Sequence, residues 1–456
     1  MILKNMRDDL MQLRAVPPII ILFFMSFSLL YADYTLKPSK RKPSRIDHMP
    51  KGVVADMKNI PQDPAFYAKQ IKPWSKAAQK KVDAAFNRKY FKPWRLKKLD
   101  IPAKDFGWEV RFVTKNKIYT ESGKEIPPST YKRWIENANY GQKDSKRYHA
   151  ITTERVNVRA LPTLSTFYLD PKRAGEGFPF NYNQNSALHM NVPLYVSHFS
   201  KDKKWAFVRA SYAFGWVRVS DIAFVDEKFI HRFMNGNYAI TIKDNLRLFN
   251  ERGKEVSFVK LGTLFPVAKD GVRYLAAGRT VNGQVRLKKV RVAAPGLIAK
   301  KPLPFNATNV ARVAREFYGE PYGWGGGYGC RDCSSTTRDF LGVFGIFLRR
   351  NSSKQAKDGT SVYIKGISKK AKKKKIIREA EPFRSLLYVP GHIVLYLGQY
   401  RGEPIIMHTY WGIRRKDGSK LITGRTIITT TEPGKERKEI REESKLINTF
   451  KTIVKF

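Results

Sequence analysis

The sequence predicts an α+β chain of several domains: a mostly helical N-terminal region, two small β-barrels in tandem, and a C-terminal domain in which a helix leads into an antiparallel sheet. Three observations carry this. The chain has 456 residues, too many for a single hydrophobic core. Short strand-like runs separated by turn residues crowd 148–296, the pattern of small barrels. Beyond 305 a helical pattern comes first and β-patterned runs follow.

Taken in order, residues 1–32 read as a secretory signal peptide. Lys4, Arg7 and Arg14 precede a short apolar run, 19–30, and Ala32 is the small residue at the boundary. The run is short for a membrane span, and an uncleaved anchor is the competing reading. The mature chain is expected outside the cytoplasm, most simply in a periplasm. Residues 33–147 read as a Lys- and Pro-rich lead-in followed by a mostly helical region. Ser75 is an N-cap candidate, with Ala78, Val82, Ala85 and Phe86 at helical spacing behind it. Two Lys-Pro-Trp corners, at Trp74 and Trp94, read as aromatic anchors against a neighbouring domain.

Residues 148–226 are the first expected barrel, with alternation at Val156-Asn157-Val158-Arg159 and a later Gly215-Trp216-Val217. Residues 227–300 repeat the plan loosely, Gly283-Gln-Val-Arg286 echoing Gly215-Trp-Val-Arg218. Residues 301–456 form the last domain. Asn306 can cap a helix carrying Val310, Val313, Ala314 and Phe317 on one face. The Lys-rich stretch 368–375 reads as a solvated surface insertion, with an electrostatic handle as its rival.

The formal charge of +47 fits nucleic acid, an anionic membrane or an anionic wall polymer as partner, with a proteome of generally high pI as the bland alternative. The leader counts against nucleic acid. Only two cysteines exist, Cys330 and Cys333, so there is no disulfide framework.

The chemistry gathers in 321–338. A glycine-rich aromatic loop ends in Asp332-Cys333-Ser334, and an amphipathic segment, 336–347, follows. Cys333 thus stands at a helix start, where unpaired N–H groups favour thiolate. The run 391–398 reads as a strand with His392, Val394 and Tyr396 on one face. The next strand, 404–409, carries His408. A hairpin centred near Arg401 places the two histidines diagonally across the ladder, roughly 7–8 Å apart at the backbone. Cys333, His392 and His408 fit the roles of nucleophile, base and base-orienter. The Cys333 N–H can hold an oxyanion, and the loop glycines let backbone approach a substrate. The bland alternative for Cys333 is a buried structural thiol.

Asp-Cys-Ser at a helix start, Gly-His-Ile-Val-Leu-Tyr-Leu-Gly on a strand and a histidine on the next strand resemble the NlpC/P60 cell-wall cysteine peptidases. Tyr322-Gly-Trp324-Gly-Gly, Arg350-Asn351-Ser352 and Gln355 extend the likeness across the last third of the chain. The barrels look like bacterial SH3-like barrels, and the helical region resembles the family's N-terminal stabilising segment. The resemblance implies a papain-like catalytic fold and cleavage of the γ-D-glutamyl-diaminopimelate bond of peptidoglycan stem peptides, without a cofactor. It implies that His408 fixes the tautomer of His392. It further implies that Tyr322, Trp324, Asp332 and Ser334 line the pocket for a free L-alanine end, with Ser352 as a further pocket residue. Asp332 suits an ammonium on charge alone. Tyr212, beside Gly215-Trp216, is the expected contribution of the first barrel, with plain barrel surface as the alternative.

Two other classes of function compete. One is a non-catalytic wall-binding protein; the other is a thiol-disulfide oxidoreductase using Cys330 and Cys333 in their C-x-x-C spacing. Metal binding by Cys333 and the two histidines has no supporting motif.

Overall fold

The computed structural model describes residues 44–49 and 51–456. The leader, 1–32, lies outside the described residues. Among those described, no helix is long and apolar enough to cross a membrane.

The N-terminal region contributes three principal helices, α1 (Lys76–Tyr90), α2 (Trp108–Lys115) and α3 (Pro128–Asn137). Ser75 caps α1 by accepting from the Ala78 N–H at 3.1 Å. Both Pro-Trp corners are anchors. The Trp74 ring meets Phe305 edge-on at 6.0 Å. Trp94 enters the core of the following barrel, and its indole N–H donates to the Ala150 carbonyl at 2.8 Å. Burying such a ring removes the largest apolar surface any side chain offers, while the indole N–H keeps a partner.

The first barrel comprises β1 (Tyr148–Thr152), β2 (Val156–Arg159), β3 (Gln184–Leu188), β4 (Pro193–Phe199), β5 (Trp205–Ala210), β6 (Phe214–Arg218) and β7 (Ile222–Phe224). They form one sheet in the order β3-β2-β6-β5-β4-β1-β7. Val156 and Val158 point inward and Asn157 outward, as their alternation requires. A short helix, α4 (Glu227–Phe233), leads to a second β-unit. Its strands are β8 (Tyr238–Thr241), β9 (Leu246–Phe249), β10 (Glu255–Val259), β11 (Leu264–Pro266), β12 (Tyr274–Arg279), β13 (Val285–Val292) and β14 (Ile298–Lys300). They divide into two sheets, β10-β9-β13-β12 and β11-β8-β14, around a core of Leu248, Val259, Phe265 and Ala276.

In the last domain α5 (Ala307–Arg315) and α6 (Cys333–Val343) precede a six-stranded antiparallel sheet, and α7 (Lys369–Glu379) is inserted among its strands. The strands are β15 (Thr360–Tyr363), β16 (Ser385–Val389), β17 (His392–Tyr400), β18 (Glu403–Arg414), β19 (Lys420–Thr430) and β20 (Thr452–Lys455), in the order β15-β20-β16-β17-β18-β19. Strand alternation sorts the two faces. Ile393, Leu395, Leu397 and Met407 pack with Phe340 and Phe344 of α6. Val394, Tyr396 and Ile406 pack with Ile376 of α7.

The Lys-rich stretch is therefore a solvated insertion only on one side, where Lys370, Ala371 and Lys374 are exposed. It forms α7, with Ile376 in the core. The Lys372 ammonium is buried and donates to the carbonyls of Ile447 and Asn448 at 3.0 and 2.8 Å. Lys373 bridges Glu403 and Glu432 at 2.8 and 2.5 Å. Helical spacing turns these lysines onto acceptors that are far away in sequence.

A buried charge cluster joins the domains behind α6. Arg331 donates to Asp339 at 2.7 Å, to Glu320 at 3.0 and 3.1 Å, and to Asp244 of the second β-unit at 2.8 Å. Lys260 pairs with Asp244 and with Glu320, the latter at 3.0 Å. Arg338 and His189 of the first barrel complete Asp339, at 2.7 and 3.1 Å. Three cations face three carboxylates, so the cluster is charge-balanced with His189 neutral. Burial alone would raise the Asp244 carboxyl, but Arg331 and Lys260 hold it below its ordinary value.

Removing one member leaves charge stranded in the interior. Arg331→Ala is expected to destabilise the protein by roughly 3–5 kcal/mol, read as a large fall in thermal midpoint. Arg315→Ala, which breaks an exposed pair with Asp63, should cost about 1 kcal/mol or less.

Candidate active site

The site is built on the N-terminus of α6. Asp332 caps this helix, accepting from the Ser335 N–H at 2.9 Å, and Ser335 Oγ accepts in return from the Asp332 N–H at 2.9 Å. Asp332 carries more than the cap. Arg350 donates to both of its oxygens, at 2.5 and 3.1 Å, and the Gly325 N–H donates at 3.1 Å. Ser334 Oγ donates to it at 3.2 Å and accepts from Arg350 at 2.7 Å. Burial pushes the Asp332 carboxyl up, and Arg350 with the capping donors overcomes this and keeps it ionised.

The glycine loop before the helix serves docking. Gly325 has φ +59°, and a Cβ there would stand 2.0 Å from the Gln184 carbonyl of β3. Gln184 Nε2 donates to the Gly325 carbonyl at 3.1 Å, and Arg155 donates to that of Gly326. The expectation was backbone brought to a substrate; these two glycines instead bring backbone to the first barrel.

Cys333, the first residue of α6, is buried, with 8% of its surface exposed. Burial and, behind it, the Asp332 charge push the thiol up to about 12. The Ile393 backbone N–H, next to His392, acts in the opposite direction. The helix-terminus argument predicts a stabilised thiolate; desolvation outweighs it here, and the resting group is a thiol.

The β17–β18 register pairs Leu395 with Met407 and Tyr396 with Ile406, a hairpin centred on Arg401. It sets His392 and His408 diagonally, as the sequence predicts. His392 Nε2 lies 3.1 Å from His408 Nδ1, and His408 Nε2 lies 3.2 Å from Thr429 Oγ1 on β19. Tyr410 underlies both rings, with centroids 5.1 and 4.7 Å away. Burial depresses His392 to about 4 against the pull of Asp332, and depresses His408 well below the ordinary imidazole value. Thr336 of α6 joins Thr409 of β18 through their hydroxyls at 2.5 Å, fixing helix to sheet one turn below the thiol.

An aromatic wall flanks the cysteine. Tyr322 is buried against Trp411 at 5.6 Å, and Trp324 is half-buried. Phe180 of the first barrel packs on Trp324 at 5.2 Å and on Trp411 at 5.4 Å, and Tyr182 meets Trp324 at 5.5 Å. Tyr212 is not part of this wall. Its ring lies under the Arg338 guanidinium at 4.1 Å, and its hydroxyl is buried. The barrel reaches the wall through the loop 177–182 instead. That loop's Gly-Phe-Pro-Phe-Asn-Tyr carries three aromatics among turn residues, the one signal that could have found it. Tyr212 lines a separate cavity of about 620 Å³, shared with Arg209, Arg349 and Arg350.

Ser352 is half-buried at the start of a short helix, Ser352–Gln355. Gln355 behind it holds α6, donating to the Ser334 carbonyl at 2.7 Å and accepting from Thr337 at 2.7 Å. Cys330 and Cys333 are both thiols, and Cys330 is packed among Tyr322, Phe180 and Trp411. Among the described residues, no group of three His, Cys, Asp or Glu is placed to hold a metal ion. Thr429, Tyr410 and the pairing of Arg350 with Asp332 are further site features that sequence reasoning missed.

Three family models match the chain: the NLPC_P60 stabilising domain, N term, over residues 20–142; the SH3 domain of SH3b1 type over 166–218; and the NlpC/P60 family over 319–420. The fold is similar to that of an NlpC/P60 endopeptidase from Photobacterium damselae subsp. piscicida, with TM-score 0.77 and 23% identity over 89% of this chain and 98% of that one. An NlpC/P60 family protein from Bacillus cereus matches with TM-score 0.43 and 14% identity, over 68% of this chain and 99% of that one. No curated protein matches in sequence.

A thiol that titrates so high reacts slowly near neutrality. Iodoacetamide labelling of Cys333 should rise about tenfold per pH unit between pH 7 and 9, following the thiolate fraction. A plateau across that range would show a preformed thiolate–imidazolium pair.

Proposed function

Given an NlpC/P60 domain over 319–420, behind stabilising and SH3 domains, we propose that the chain is a peptidoglycan hydrolase: a cysteine endopeptidase that cuts the γ-D-glutamyl-diaminopimelate bond of stem peptides. The observation that carries this reading is a helix-capping Asp-Cys-Ser in that domain, beside a hydrogen-bonded His392–His408 pair. Secretion through residues 1–32 and work outside the cytoplasm belong to the same proposal, as does contact of exposed basic surface with an anionic wall or membrane.

The chemistry follows from the resting protonation states. His392 is neutral and takes the Cys333 proton as the sulfur attacks the γ-carbonyl. The Cys333 N–H at the start of α6 faces the oxyanion of the tetrahedral intermediate. His392 returns the proton to the leaving amine, the C–N bond breaks, and an acyl-enzyme remains. Water then gives a proton to His392, adds to the acyl carbon and expels the thiolate, which regains its proton. Asp332, kept ionised by Arg350, and Ser334 flank Cys333 in the sequence, where the resemblance places recognition of the ammonium of a free L-alanine end. Tyr322 and Trp324 supply the wall against which the peptide lies.

A muropeptide digest read by mass spectrometry tests the bond and the nucleophile together. Wild type under mild reductant should release L-Ala-D-Glu from tri- and tetrapeptides. Cys333→Ser should lose at least about 10³-fold in rate, and Cys330→Ser should keep its activity. Intact stem peptides in every sample would overturn the reading, and loss of activity in Cys330→Ser would point to a redox pair instead. The pH profile gives a second check. His392 accepts a proton only while neutral, and its pKa is depressed, so activity should persist below pH 6.5 and fail as pH drops toward 4.

A further inference from the structure

We propose that Thr429 is a positioning residue that sets the tautomers of both histidines and so leaves His392 Nδ1 unprotonated, the form a base requires. The inference rests on the peptidase reading for its function and on hydrogen-bond direction for its content.

The direction can be worked out one link at a time. Thr429 Oγ1 stands 2.7 Å from the Thr430 carbonyl and 3.2 Å from His408 Nε2. A carbonyl can only accept, so the hydroxyl proton lies toward Thr430. The Thr429 oxygen then has lone pairs alone to offer His408, and His408 Nε2 must carry the hydrogen. A neutral imidazole has one N–H, so His408 Nδ1 is an acceptor. Across the 3.1 Å contact, His392 Nε2 must therefore donate. His392 in turn has one N–H, already committed, and its Nδ1 is left unprotonated. One carbonyl at the far end of the chain decides the state of a ring nitrogen three residues of the network away.

The surroundings support neutral rings throughout. His408 and Thr429 are fully buried, with 1% and 0% exposure, and burial opposes a charge on either imidazole. With the opposite direction, a Thr429 hydroxyl donating to His408, the single hydrogen of His392 would sit on Nδ1 and that nitrogen could not act as base. The Thr430 carbonyl is the acceptor that disfavours this arrangement.

Thr429→Val keeps the shape of the side chain and removes the oxygen; Thr429→Ser keeps the oxygen. The test uses the full chain labelled with ¹⁵N-histidine and reads two-bond ¹⁵N–¹H correlations at pH 7.5, beside muropeptide kinetics. Wild type and Thr429→Ser should show His392 and His408 both in the Nε2–H form. Thr429→Val should show His408 partly or wholly in the Nδ1–H form. Its kcat should fall about 10²-fold, the scale of one general base, with KM little changed, and Ser should restore it. An Nδ1–H form of His408 in wild type overturns the proposal, as do unchanged tautomers and kcat in Thr429→Val. If wild type hydrolyses nothing, the peptidase reading fails by itself, and the spectra still decide the tautomer.

Discussion

The carboxylate of Asp332 is the group on which the site depends. It satisfies the Ser335 N–H that the helix start leaves without a helical partner, anchors Arg350 through both oxygens, and receives the glycine loop through Gly325. A single buried charge thus fixes the first turn of α6, the segment around Arg350 and the preceding loop relative to one another. Arg350 extends the arrangement to Ser186 of the first barrel at 2.9 Å. Cys333 is held in place by ionic contacts that converge on its neighbour in sequence, while its own sulfur stays in a desolvated setting.

That setting changes the electrostatics expected of a helix-terminal cysteine. The partial charge of a helix end is modest and the Asp332 charge stands beside it, so burial decides. Burial favours the neutral form of the thiol and of both imidazoles.

Much of this was legible in the sequence where the signal was local. Period-two alternation put His392 on the face of Val394 and Tyr396, and a short turn fixed the register that sets it diagonal to His408. Ser75 and Asp332 announced helix starts. The Pro-Trp corners announced anchors. What was not legible depended on chain reversal. Tyr212 and Tyr182 are both barrel tyrosines, and only the course of the loop 177–182 decides which one meets Trp324. Lysines 369, 372 and 373 look like a solvated run until α7 turns them onto Glu432, Glu442 and the Ile447 carbonyl. The Arg331 cluster joins residues up to 150 positions apart, and no spacing rule announces it.

The contact of Gly325 with Gln184 bears on how such a chain can be taken apart. Domains joined by linkers are usually treated as exchangeable parts, each holding its own shape. Here the loop that delivers the cysteine is moulded against a strand of another domain, with no room for even a methyl group between them. The information for that loop's shape is divided between two domains. The first barrel is then a piece of the mould for that loop, and replacing it with another domain would change the die along with the handle.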